Sequence, residues 1–80
     1  MQSPETLSLF DAPVGRHVRI RHLHTSPDLS TRLREMGFCE NALIRTLRKG
    51  EHSIICELFN SRIGLNRELA SAIVIAPPGS

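Results

Sequence analysis

Ser26-Pro27-Asp28-Leu29-Ser30-Thr31-Arg32-Leu33-Arg34-Glu35-Met36-Gly37-Phe38 reads as one short helix complete with its start and its stop. Ser26 is an N-cap whose hydroxyl can accept a backbone N–H, Pro27 brings a helix-ready φ to the first position, and Asp28 favours the positive end of the dipole. Leu29, Leu33 and Met36 fall at helical spacing on one apolar face, flanked by Arg32, Arg34 and Glu35. Gly37 is placed to take positive φ just past the last turn, and Phe38 to pack back on Leu33, as a Schellman ending requires. Met36 and Phe38 are expected to anchor this end of the helix to the rest of the fold.

The chain on both sides of the helix has the two-residue period of strands. Arg16 to Leu23 turns Val18 and Ile20 one way and Arg19 and Arg21 the other. Ahead of it, Leu7, Leu9 and Phe10 form an apolar lead-in that stops at the Pro13-Val14-Gly15 turn signal. Beyond the helix, Ala42 to Lys49 is a second strand, with Ala42, Ile44 and Thr46 on one face and Leu43, Arg45 and Leu47 on the other. A polar turn, Lys49-Gly50-Glu51-His52, leads to a third strand, Ile54 to Phe59. Asn60-Ser61 predicts a tight hairpin that returns Arg62 to Leu65 beside it. Asn66 caps a single helical turn through Leu69, and Ala72 to Ala76 is the last strand before Pro77-Pro78-Gly79 stops pairing. The expected fold is therefore all-β with one short inserted helix, a small five-stranded barrel over residues 7–76, with a flexible tail at 1–6 and a short tail at 77–80.

With 80 residues there is room for a single domain, since autonomous domains rarely fall below about 50 residues. A chain this short buries only about 60% of its unfolded surface, so almost every large apolar residue is needed for the core and none is spare to build a deep substrate cleft. The formal charge of +2 is too small to mark a nucleic-acid protein. Two cysteines, Cys39 and Cys56, lie in no metal-like or disulfide-dense pattern and suit a reducing cytoplasm. The start of the chain lacks a basic region followed by an apolar core, so export is not expected. The longest apolar run, Ala72 to Ala76, is far short of the roughly 20 residues that span a bilayer, so any membrane association is expected through a partner.

Chemistry-bearing residues are present but not convergent. His22 and His24 stand two apart on one strand face, yet two ligands do not make a metal site, and His52, Cys39 and Cys56 offer no spacing that completes one. These histidines read as surface residues and Cys56 as a small core residue. No nucleophile elbow or specially placed carboxylate pair occurs, and the glycines at 15, 37, 50 and 64 are too isolated to cradle a phosphate. No enzymatic activity and no cofactor is expected. Arg16, Arg19, Arg21, Arg45, Arg48 and Lys49 could form a basic face, but there is no Trp or Tyr, and Phe10, Phe38 and Phe59 are dispersed. Without stacking platforms these cations read as a solvated outer face and no nucleic-acid partner is expected.

Two segments carry a resemblance: Leu33-Arg34-Glu35-Met36-Gly37-Phe38, and Arg62-Ile63-Gly64-Leu65-Asn66-Arg67-Glu68-Leu69-Ala70 running on to Ile73. Together they resemble the FeoA family, a small cytosolic component of bacterial ferrous-iron uptake. Its domain also occurs as the carboxy-terminal module of iron- or manganese-dependent repressors. The resemblance implies an SH3-like barrel and a non-catalytic accessory of the FeoB-type GTP-dependent membrane transporter, cytoplasmic or held at the inner membrane by that partner. The alternative it implies is a metal- or peptide-responsive module of a transcriptional regulator. In this setting Leu33, Met36, Gly37, Phe38, Ile63, Gly64 and Leu65 are the structural motif, with Gly64 expected where another backbone or side chain comes close. Where the family often has Pro-Gly before the second strand this chain has Glu40-Asn41, and Asn41 can take the same turn conformation. The connection around Gly50 is also shorter than in many members.

Strand alternation also leaves a surplus. If Ala42, Ile44, Cys56, Leu58, Ile63 and Leu65 face inward, then Leu43, Leu47, Ile55 and Phe59 face outward. Four apolar side chains on adjacent strands form the expected partner-binding surface, and self-association is the competing use of the same patch.

Overall fold

A computed structural model describes residues 7–76; the tails expected at 1–6 and 77–80 lie outside the described residues. The helix signals resolve as read. Helix α1 is Pro27–Glu35, and Ser26 Oγ accepts from Leu29 N at 3.4 Å. Its far end is a Schellman motif: Phe38 N donates to Leu33 O at 2.9 Å and Gly37 N to Arg34 O at 3.0 Å, with Gly37 at φ 105°. Leu33 and Phe38 are both buried, so the apolar contact that accompanies this ending ties α1 to the core. Met36 is not the second anchor expected. It is 49% exposed, because the chain reverses at Gly37 and carries only Phe38 inward.

The strands are β1 (Leu7–Ser8), β2 (His17–Leu23), β3 (Leu43–Lys49), β4 (Ser53–Leu58), β5 (Ser61–Asn66) and β6 (Ile73–Ile75). All pair antiparallel in the order β1-β6-β2-β3-β4-β5. The expected five strands are thus six. The lead-in contributes one, pairing Leu7 with Ile75 and Ser8 with Val74, and two residues are too few to show an alternation in sequence. Nor do the strands close into the expected five-stranded ring, because among the described residues β1 and β5 end the ladder without pairing to each other. Asn66 caps as expected, accepting from Leu69 N at 2.8 Å, but the single turn expected there continues as helix α2, Arg67–Ala72. The last strand accordingly begins at Ile73.

The hairpin between β4 and β5 also turns one residue earlier than expected. Leu58 pairs with Ser61, so the two-residue loop is Phe59-Asn60, with φ of 53° and 68°. Positive φ at both positions is the pattern of a type I′ turn, whose twist matches that of the flanking strands. Inward alternation decides the register: Cys56 and Leu58 are buried on β4 and Leu65 on β5, and a one-residue slip of β5 would turn Leu65 out.

The core lies on one side of the β2–β5 sheet. Leu9, Ile20, Leu33, Phe38, Ile44, Ile54, Cys56, Leu58, Ile73 and Ile75 are fully buried there, each large side chain adding roughly 1.5–3 kcal/mol of transfer free energy. Thr46 is buried among them opposite Cys56, its hydroxyl without a hydrogen-bond partner among the described residues. At the β3–β4 end, Phe10 in the 3₁₀ turn Leu9–Asp11 carries two cations over its ring, Lys49 at 5.4 Å and Arg67 at 4.8 Å.

Candidate docking surface

The sheet register places the outward side chains in rows. One row crosses all four strands as His17, Arg45, Glu57 and Arg62; a second pairs Arg19 with Leu43; a third runs Arg48, Ile55, Gly64. Directly opposed residues share a face, and their neighbours Val18, Ile44, Thr46, Cys56 and Leu65 are the buried set. Register and exposure together put Leu43, 45% exposed, and Ile55, 39% exposed, on this face, and Phe59, in the turn just beyond β4, is 69% exposed. Leu47 is half-buried, the extra residue of a bulge between Thr46 and Arg48 that the alternation in sequence does not reveal.

These four side chains do not form one unbroken patch. Arg45 Nη2 meets Glu57 Oε1 at 2.6 Å in the row between Leu43 and Ile55, which divides the face into a Leu43 end and an Ile55 end. Sequence reasoning missed this ion pair. Its signal was available, since Arg45 and Glu57 lie six residues on either side of Glu51, the middle of the β3–β4 connection. Phe59 sits at the Leu43 end with its ring over the α1 stop. A Cβ built on Gly37 would come within 2.9 Å of Phe59 Cε2 and 3.2 Å of Leu58 Cδ2. The helix-end motif and the hairpin tip, separate in sequence, are one corner of the surface, with exposed Met36 beside it.

Of the other motif residues, Leu65 is buried and Ile63 half-buried as expected, while Gly64 faces open space, its nearest neighbour to an added Cβ being Ile54 O at 4.0 Å. The expected close approach at Gly64 is absent. It leaves instead a bare spot on the outer face opposite Ile55.

The metal candidates are dispersed. His22 and His24 are exposed with ring centroids 6.1 Å apart. Glu40 pairs with Arg34 at 3.2 Å, and its carboxyl is held below the usual range first by a hydrogen bond from its own backbone and then by Arg34. Cys56 is buried with its thiol directed to Ile63 O, and burial pushes its pKa up to about 11, which leaves it inert as a ligand or nucleophile at neutral pH. Cys39 is half-buried beside Gly37 O. Among the described residues no three His, Cys, Asp or Glu side chains come together to hold a metal ion. No helix of the described residues is long and apolar enough to cross a membrane.

Solved structures share this arrangement. An iron uptake regulatory protein, FeoA, superposes with a TM-score of 0.80 at 18% identity, covering 89% of this chain and 96% of that one. Iron(II) transport protein A from Clostridium thermocellum gives 0.79 at 26% identity, covering 88% of this chain and 44% of the other. A manganese-dependent transcriptional repressor gives 0.81 at 17% identity, covering 92% of this chain and 42% of the repressor. No curated protein is significantly similar in sequence. The first and third likenesses establish the fold, an SH3-like domain that occurs both alone and as part of longer proteins. Residues 7–77, nearly the whole chain, match the FeoA domain itself, and the protein belongs to the FeoA family.

Proposed function

We propose that this domain is a non-catalytic cytoplasmic accessory of ferrous-iron uptake that binds the cytoplasmic part of a FeoB-type GTP-dependent membrane transporter. Family membership supports the iron-uptake setting. The observation that carries the docking role is the outer face of the sheet, where Leu43 and Ile55 stay exposed, with Phe59 exposed at its hairpin corner, in a chain so small that its core needs every large apolar residue. Self-association is the competing use of these side chains, and size-exclusion chromatography beside the binding measurement separates the two.

The fold is shared with a manganese-dependent repressor, which supports a second reading, a sensor module within a regulator. That reading needs a metal or a regulator-derived peptide as ligand, and a dispersed set of candidate metal ligands does not favour the first of these.

The test is a calorimetric titration of the purified domain against the cytoplasmic part of the transporter, with and without guanine nucleotide. Wild type is expected to bind, and Ile55→Asp and Phe59→Asp, shown folded by circular dichroism, to weaken binding at least tenfold, as truncation of interface hot spots does (about 1.4 kcal/mol or more). No binding by wild type in either nucleotide state overturns the transporter reading. Binding indifferent to both substitutions leaves the partner in place and moves the surface elsewhere.

A further inference from the structure

We propose that the outer face of the β2–β5 sheet docks an acidic polypeptide, a segment or protein surface that presents carboxylates around apolar side chains. The inference rests on the docking reading above and adds to it the chemistry of the partner.

The charge on this face is segregated. Arg19 on β2, Arg45 and Arg48 on β3, and Arg62 on β5 point outward against a single carboxylate, Glu57 on β4. Outside this face the described residues carry six Lys and Arg against six Asp and Glu and sum to zero, so the excess positive charge lies on this one face. Glu57 is committed to Arg45. Among the described residues, Arg19, Arg48 and Arg62 have no carboxylate within ion-pair distance; Arg19 has turned to a backbone carbonyl instead, donating from Nη1 to Asn41 O at 2.7 Å. Three guanidiniums thus remain available to carboxylates from outside.

The apolar side chains decide between partners. Arg48 stands opposite Ile55 and Arg19 opposite Leu43, so each free cation of these rows is set directly beside an exposed aliphatic group. Arginine interleaved with Leu, Ile and Phe is the composition of protein interfaces, where burial of the apolar groups supplies affinity and the charges supply register and approach. A phosphate backbone rewards charge density and gains nothing from Leu43 or Ile55. Successive bases would need several stacking platforms, and this surface offers a single aromatic ring, Phe59, at its corner. Gly64, flush with the sheet opposite Ile55, lets a polypeptide approach the third row without meeting a side chain.

The experiment titrates the ¹⁵N-labelled full chain with a short peptide of repeating Glu-Glu-Leu triplets and, separately, with oligothymidylate of equal formal charge, following amide shifts. Expected are shifts centred on residues 17–19, 43–48, 55–57 and 62–64 with the peptide, binding that weakens as salt rises, and at least about tenfold weaker binding in Arg48→Glu/Arg62→Glu. Arg32→Glu, the same charge change on α1, is expected to change affinity less than about twofold. The proposal is overturned by the absence of shifts, by shifts centred elsewhere, by an equal loss in Arg32→Glu, or by tighter binding of oligothymidylate at the same residues. The two readings fail separately. If the peptide binds this face and the transporter fragment does not, the surface chemistry stands and the transporter assignment falls; if the fragment binds Arg48→Glu/Arg62→Glu as well as wild type, the transporter stands and the acidic-partner inference falls.

Discussion

Gly37 and Phe59 sit in contact, both with positive φ, and they reach that conformation for opposite reasons. At the α1 end the chain must reverse sharply, and glycine meets the requirement with no Cβ to strain, at φ 105°. At the hairpin tip a bulky aromatic occupies φ 53°, where a non-glycine residue costs about 1–2 kcal/mol. The difference teaches that Gly37 has a second duty: the space where its Cβ would be is filled by the Phe59 ring. One position is set by local backbone chemistry, the other by the register of the strands on either side, and they meet as a single corner of the outer surface.

The largest expected effect tests whether the corner is anchored from below. Phe38→Ala removes a fully buried ring that holds the Schellman turn to Leu33, and a loss of about 3–5 kcal/mol in urea unfolding is expected. A loss below about 1 kcal/mol would show that α1 closes onto the core by some other contact.

Gly37→Ala comes next and sharpens the comparison directly. The positive φ alone costs about 1 kcal/mol, and the clash with the Phe59 ring should raise the total to about 2–3 kcal/mol. In a Phe59→Asn background the closest contacts are gone and only Leu58 Cδ2 at 3.2 Å remains, so the cost of Gly37→Ala should fall back towards about 1 kcal/mol. Equal costs in both backgrounds would mean the ring simply swings away.

How far the sequence could carry this picture follows from the same contrast. Ser26, Pro27, Gly37 and Asn66 announce their roles locally, because caps and stops are satisfied within three or four residues, and each does what its type implies. Inward alternation on β3, β4 and β5 was legible for the same reason. What was not legible depends on pairing between distant residues. The two-residue β1 exists only because β6 offers it a ladder, Leu47 becomes a bulge only when Arg48 is drawn opposite Ile55, and the turn falls on Phe59-Asn60 because Leu58 and Leu65 must both face the core. The candidate surface shows the same split. The exposure of Leu43, Ile55 and Phe59 follows strand alternation, but the half-burial of Leu47, the Arg45–Glu57 bridge and the exposure of Met36 appear only once the strands are in register.

A smaller effect concerns Asn41, a third residue with positive φ, at 74°, just before β3. Its backbone N–H is bonded to Ile20 O at 2.7 Å, so the turn cannot relax without breaking the β2–β3 connection. Asn tolerates this conformation better than alanine does. Asn41→Ala is expected to cost about 0.5–1 kcal/mol and Asn41→Gly to be within a few tenths of wild type, both read from urea midpoints at constant slope. A neutral Asn41→Ala would indicate that the turn is not held in the left-handed region in solution.

The smallest effect on stability carries the most information about use. In Phe59→Asn two contributions oppose: relief of left-handed strain favours the variant by about 1 kcal/mol, while loss of the ring's packing on Gly37 and Leu58 disfavours it by a similar amount, since most of the ring is exposed and only a minor part of its area is buried. The net change in unfolding free energy should be within about 1 kcal/mol of zero. Binding to the transporter fragment should nonetheless weaken several-fold, because the variant removes the most exposed apolar group on the surface while leaving the sheet and its arginines unchanged. A stability loss above about 2 kcal/mol would reassign the ring to the core and explain its position by folding alone. Unchanged stability with unchanged binding would leave a strained aromatic turn with no use in docking, and the interaction would then centre on Ile55 and the arginines at the other end of the face.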